Sequence, residues 1–324
     1  IPVDELPYIL NPSQGFIVTA NQPVVSSAYP YLIGTDHAYG YRASRISELL
    51  AGRSGLTVED MTRMQLDTKD GSAEFIVPVL LGHDAPEPFL EVLEEWSGDD
   101  RPYRMDADSA GAAAYAALWR NLLALTFDDE LGEDHSAGGN SRYFEAVRRL
   151  MSEPGDRWWD DVRTDTTETR DDILAMAASA AYEELREVLG DGGWRWGDLH
   201  TAFFVHETLG QSGIGPIEAL FNRSAPSEVS GGSAIVNATG WHAPSGYGVL
   251  ALPSMRMVVD LGDLTRSVAI HTTGQSGHPF SSHYSDMIEP WAIGETNPLL
   301  WTISQVEAEE SARLTLVPRV SLSE

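Results

Sequence analysis

Apolar positions change their period along this chain, and the changes mark out its elements. Phe16, Val18 and Ala20 alternate with Ile17, Thr19 and Asn21, which predicts a strand running into Asn21. A helix is expected from Arg42 to Leu50, with Ile46, Leu49 and Leu50 on one face and Gly52 as its stop. Thr57 followed by Asp60 is a capping-box signature for another helix. Residues Ala73 to Leu81 read as helical even though Pro78 should bend or shorten them. Ser109 is placed to cap a helix carrying Tyr115, Leu118, Trp119 and Leu122 at helical spacing. Phe144, Val147 and Leu150 repeat that spacing ahead of Pro154 and Gly155, and Leu174, Ala177, Ala181, Leu185 and Val188 form an apolar stripe ending at Gly190. Beyond about residue 230, Gly and Pro multiply and period-two runs return. Met255, Met257, Val259 and Leu261 alternate with Arg256, Val258 and Asp260, and Ser267 to Thr272 and Arg313 to Val317 read as further strands. Strand, helical block, then strands predicts an α+β chain. Its expected divisions are a strand with the first helices over 11–82, a helical block over 83–190 and a mainly strand region over 191–324.

Charge changes this picture more than bulk composition does. The chain has 49 acidic residues against 21 basic ones, a net charge of −28, and Lys69 is its only lysine. Nucleic-acid affinity comes mainly from Lys and Arg on phosphates, so a nucleic-acid partner is not expected. A dense carboxylate surface suits a saline habitat, where salt screens self-repulsion. A GC-rich genome that replaces Lys by Arg is the alternative. Asp128, Asp129, Glu130, Glu133 and Asp134 read as a solvent-facing acidic loop without the ligand order of an EF-hand. Cysteine is absent, which excludes disulfides, thiolate metal sites and a Cys nucleophile. No apolar run approaches the roughly 20 residues a spanning helix needs, and no signal-peptide pattern is visible at the start.

Few side chains carry chemistry on their own pattern. Asn21 closes a strand, where an amide can donate to a developing oxyanion, although a lone Asn near a Pro is commonly a turn residue. Arg42 sits in a first helical turn, where a cation opposes the macrodipole and needs another reason to be there. Gly274-Gln275-Ser276-Gly277-His278 fails the Gly-x-Ser-x-Gly elbow at its fifth residue, so Ser276 and His278 are expected to be structural. His206-Glu207 opens like a zinc motif, but Gly210 stands where the second His is required. No metal site is expected from these residues.

Thr19-Ala20-Asn21-Gln22, the Tyr29-Pro30 loop, Gly40-Tyr41-Arg42, the Trp194 to His200 stretch and Gly274 to Pro279 with Ser282-His283-Tyr284 occur in an order that resembles the penicillin-acylase family of N-terminal-nucleophile (Ntn) hydrolases. The resemblance runs with gaps from about Asn11 to about Pro318. It implies part of an αββα sandwich with a large helical insertion, the later part of a β subunit, and hydrolysis of an amide joining an acyl group to an amine. It places Asn21 as an oxyanion donor and Arg42 as the residue that supports it, leaves Arg45 structural, and puts Gln22 where the family has a second Asn. The tryptophans and histidines of the Trp194 to His200 stretch, with His206, read as satisfied core residues rather than ligands. The family's nucleophile is a serine beginning a chain, whereas this one begins with Ile1, so an upstream segment carrying the serine, together with an α subunit, is the implied partner. The chain alone is then expected to be inactive. Some members hold calcium partly through an acid in the Tyr-Pro loop, but here no acid occurs before Asp36 and that ligand is unmatched. A periplasmic or secreted location and a small acyl-amide substrate in antibiotic metabolism follow from the resemblance. A non-catalytic relative that binds acyl ligands or serves as a scaffold is the alternative.

Overall fold

The structure is a computed structural model that describes residues 1–132, 135–222 and 226–318. Its centre is helical. Three short helices come first: α1 (Tyr41–Leu50), α2 (Val58–Gln65) and α3 (Ala73–Leu80). Local chemistry sets their ends. The Thr57 hydroxyl accepts from the Asp60 amide while the Asp60 carboxylate accepts from the Thr57 amide, closing the expected capping box on α2. Pro78 lies inside α3, which ends two residues later.

Next come α4 (Glu87–Gly98), the long α5 (Ala110–Leu131), α6 (Ser141–Leu150) and α7 (Arg170–Leu189). Helix α5 starts where Ser109 accepts from the Ala112 amide and is buried on almost every side. Small residues make that possible: Ala112, Ala113, Ala116 and Ala117 on α5 and Ala177, Ala178 and Ala181 on α7 are buried in one core with Phe89, Leu93, Leu118, Trp119, Leu122, Phe144, Val147 and Leu185. Gly111 marks the closest approach to α4, because a Cβ there would collide with the Trp96 side chain.

The remainder is irregular chain with short elements: α8 (Trp196–Leu199), β1 (Thr201–Ala202), α9 (Gly215–Phe221), β2 (Ser227–Glu228), β3 (Met255–Val258), β4 (Val268–His271), α10 (Ile288–Ile293), β5 (Asn297–Pro298) and α11 (Ile303–Glu309). Strands β1 and β2 pair antiparallel, and β3-β4-β5 form a second antiparallel sheet. Met255 opposes His271 and Met257 opposes Ala269, so one face of that sheet is largely open. Arg256 and Ile270 are buried on the other face, where Ile270 joins Ala202, Val229 and Trp291 in a second, smaller core.

Three expectations are corrected. Residues 16–19 carry no regular element and the chain bends at Ala20 and Asn21, so no strand forms there among the described residues. The period-two burial persists there: Ala20 is buried and Phe16 and Val18 are half-buried, while Ile17, Thr19 and Asn21 are exposed. The backbone, however, is satisfied by a side chain rather than by a neighbouring strand. Gln22 accepts from the Ala20 amide at 2.7 Å and donates to the Val18 carbonyl at 2.9 Å. Arg313 to Val317 likewise forms no strand, because nothing among the described residues pairs with it, and Leu314 and Leu316 lie exposed. Asp128, Asp129 and Glu130 are the last turn of α5 rather than a loop, with Asp129 accepting from the Val162 amide at 2.8 Å. Glu133 and Asp134 of the expected acidic loop lie outside the described residues.

Candidate functional site

Asn21 and Arg42, far apart in sequence, meet. The chain turns at Asn21 in the left-handed region, φ 66°, a conformation Asn tolerates better than most residues. The turn is closed by the Ala38 amide donating to the Asn21 carbonyl at 2.9 Å. Helix α1 begins at Tyr41 with no side-chain cap from Gly40, and Arg42 projects from its first turn. One guanidinium nitrogen, Nη2, donates to the Asn21 Oδ1 at 2.7 Å and to the Ala20 carbonyl at 3.1 Å. Because Arg only donates, the contact fixes which end of the amide faces it: Oδ1 is held, and Nδ2 points away with no acceptor among the described residues. Burial pushes the Arg42 guanidinium below its ordinary pKa without neutralising it.

Asn21 and Arg42 line a cleft of about 480 Å³ together with Asp36, His37, the start of α6 at Ser141 and Arg142, and the loop from Gly232 to Gly240. The chain enters that loop through Gly231 at φ 102°, and within it Ala234, a non-glycine, lies at φ 61°. On its other side Arg42 borders a second groove of about 350 Å³ shared with Tyr41, Arg45, Glu48 and Lys69.

Behind the cleft is a cluster of buried charge that the sequence pattern did not disclose. Asp67, 5% exposed, accepts two parallel bonds from Arg45, Nε to Oδ1 and Nη2 to Oδ2, both at 2.9 Å. Arg104 Nη1 adds a third at 3.0 Å. Burial works to raise the Asp67 carboxyl, but the hydrogen bonds and charges of Arg45 and Arg104 outweigh it and leave the group below the usual carboxylate range. The Asp67 carbonyl accepts from the Asn237 amide at 2.9 Å, and Asn237 Oδ1 accepts from Arg256 Nη2 at 2.9 Å. Arg256 itself is 4% exposed and lies 4.4 Å over the Trp291 ring, where burial lowers it to about 10.

The other singled-out residues lie elsewhere. Ser276 lines a cavity of about 350 Å³ with Phe204, His206, Phe221 and Tyr284. Its Oγ accepts from the His278 backbone amide at 3.2 Å, so the contact between these two residues does not involve the imidazole. His200 is fully buried, stacked on Trp196 at 4.3 Å between ring centres, with Nδ1 2.6 Å from the Tyr247 carbonyl; burial lowers it to about 4. Trp194 and Trp196 are core residues as expected. Among the described residues no three His, Asp or Glu side chains converge to hold a metal ion. Tyr29 and Tyr31 of the Tyr-Pro loop both donate to Glu5, to its carbonyl and its carboxylate respectively. Residues 29–35 themselves carry no Asp or Glu, so the acid ligand that the resemblance implies for this loop has no counterpart there. Among the described residues no helix is long and apolar enough to cross a membrane.

The family described as penicillin amidase matches residues 1–308 of this chain. An acyl-homoserine lactone acylase, QuiP, from Pseudomonas syringae pv. tomato is 28% identical over 337 residues, covering 96% of this chain and 40% of its own length. The penicillin acylase 2 proenzyme of a Pseudomonas species is 31% identical over 337 residues, covering 98% of this chain and 40% of its own. Among solved structures, a thermostable penicillin G acylase from Alcaligenes faecalis superposes with a TM-score of 0.53 at 14% identity, over 95% of this chain and 58% of that one. The chain thus spans about 40% of the length of the curated relatives it matches.

Proposed function

The chain belongs to the penicillin amidase family, and from that premise we propose that it is the later part of an acylase that cleaves an N-acyl group from an amine. A serine nucleophile from a segment outside this chain attacks the amide carbonyl, with its own α-amine as base, and an acyl-enzyme forms and is hydrolysed. Asn21 Nδ2 donates to the oxyanion of each tetrahedral intermediate, and Arg42 holds that amide in place. The observation that carries the reading is the 2.7 Å contact from Arg42 to Asn21 Oδ1, which leaves Nδ2 facing away from Arg42 as a donor. In this reading the open sheet faces belong to an αββα Ntn sandwich completed by the upstream segment and an α subunit. The names of the relatives set the first substrates to offer, N-acyl homoserine lactones and penicillins.

The test uses the full-length precursor. Its polypeptides are sequenced from their N-termini after purification, and hydrolysis is followed for both substrate classes in the parent and in Asn21→Ala. The proposal expects a polypeptide beginning with serine, and a fall in kcat of about 10²–10³-fold on losing one oxyanion donor. A precursor that stays unprocessed, binds acyl ligands and loses none of that affinity in Asn21→Ala would instead establish the non-catalytic relative.

A further inference from the structure

The Arg42–Asn21 contact is only as well defined as the helix turn it springs from. Helix α1 is capped only by Gly40, which offers no side chain, and its first turn carries no acid to favour the exposed amides. Its sequence therefore gives its start little intrinsic definition. Two contacts tie the turn down: Tyr41 packs edge-on against Phe144 at 5.3 Å, and Arg45, one helical turn after Arg42, has its guanidinium clamped in parallel geometry by the buried Asp67. The same residue reaches the opposite wall of the cleft. Its carbonyl holds the Asn237 amide, and the Asn237 side chain donates to the Ser230 carbonyl at 2.9 Å, bracing the strained loop that contains Ala234. Both walls of the cleft thus converge on one residue.

We propose that Asp67 is a positioning residue for the Asn21 amide, acting through Arg45 and the first turn of α1 to set the reach of Arg42. The inference rests on the acylase reading above. Asp67 is too deeply placed behind α1 to touch substrate, and its two oxygens are occupied by Arg45 and Arg104. Replacing it by Asn keeps the size but removes the charge and one of the oxygens that receive the fork. The turn is then free to shift, and a displacement on the order of 1 Å at a reacting group costs about 10²-fold in rate.

The experiment is a double-mutant cycle in the full-length processed protein, using N-acyl anilides of graded chain length and the one the parent hydrolyses fastest. Asp67→Asn is expected to lower kcat by about 10–100-fold with KM within about twofold. In the Asn21→Ala background the same change is expected to cost less than about threefold, because the donor it positions is already gone. That second number separates positioning from damage: a variant that merely leaves fewer molecules folded loses the same factor in both backgrounds. Equal losses in the two backgrounds, or an unchanged kcat in the single variant, would overturn the inference. Arg45→Lys, which keeps the charge but not the fork, is run in parallel and must show the same non-additivity, so a poorly folding Asp67→Asn does not end the test. A harmless Asn21→Ala takes down the acylase reading and this inference together. A damaging Asn21→Ala with a harmless Asp67→Asn removes only the inference.

Discussion

Asp70 gives the sharpest stability prediction in the molecule. It is 4% exposed at the entry to α3, where Oδ1 accepts from the Ser72 amide at 2.7 Å, the Ser72 hydroxyl at 2.5 Å and the Ala73 amide at 3.3 Å. Burial raises the carboxyl from 3.8 to about 6, and those three donors only partly resist it. The folded protein therefore holds this proton more tightly than the unfolded chain does. Below about pH 4 both states are protonated and nothing is lost. Between about pH 4 and 6 the folded state loses stability as pH rises, and above that the loss is complete. A shift of about two units at about 1.4 kcal/mol each gives about 3 kcal/mol. His200 runs the other way, since a buried imidazole lowered to about 4 weakens the fold as pH falls. The raw pH profile of the parent is therefore flattened, and the informative quantity is a difference. We expect the stability of Asp70→Asn minus that of the parent, from urea denaturation, to grow by about 3 kcal/mol in the variant's favour between about pH 4 and pH 7. Parallel profiles for the two proteins would show that Asp70 titrates alike folded and unfolded, and the argument from burial would fail.

Other consequences are as direct. Gly111→Ala drives a methyl into Trp96, whose indole is held by a 2.9 Å bond from Nε1 to the Arg104 carbonyl and by the Tyr103 and Tyr115 rings. We expect a loss of about 1–3 kcal/mol in urea denaturation, and a change under about 0.5 would mean that α4 and α5 separate easily. Thr169→Ala removes the hydroxyl that accepts from Asp172 at the start of α7 and should cost about 1 kcal/mol by the same measurement. An unchanged midpoint would place the definition of α7 entirely in its packing. With a net charge of −28, the melting temperature should rise as KCl approaches about 1 M, where the screening length shrinks to about 3 Å; a flat response would separate the acidity from salt.

Helix termini were legible because their chemistry is local. Thr57 with Asp60, Ser109 before Ala112 and Gly190 after Leu189 each act within a few residues of the end they define. The segment 16–21, expected as a strand, was legible only by half. Alternation reports which side chains turn inward, and it did so correctly, but it says nothing about what pairs with the backbone. The acids at 128–130 read as a solvent-facing loop from their charge, yet they continue a helix whose C-terminal dipole opposes them. Burial of Phe127 against Tyr143 and Trp158, and the amide of Val162 on Asp129, kept the helix going regardless. The pairing of Asn21 with Arg42 followed from family resemblance and not from spacing. Asp67 had no signature at all, since Leu66-Asp67-Thr68 is an unremarkable tripeptide whose partners, Arg45 and Arg104, stand 22 and 37 residues away.

The Gln22 side chain has a consequence for how this chain behaves in company. Ala20 and Val18 present their amide and carbonyl on the same edge of the segment, and Gln22 occupies both. An edge so occupied offers no template to a stray strand, which is the usual route from an unpaired segment to aggregation. Any neighbour that pairs there must first displace the glutamine, exchanging two short-range bonds for a continuing ladder. A partner with matching register and several residues to add makes that exchange favourable, whereas a casual encounter with one or two does not. One amide thus acts as a guard on the edge of this segment, selecting for partners that can build a ladder along it.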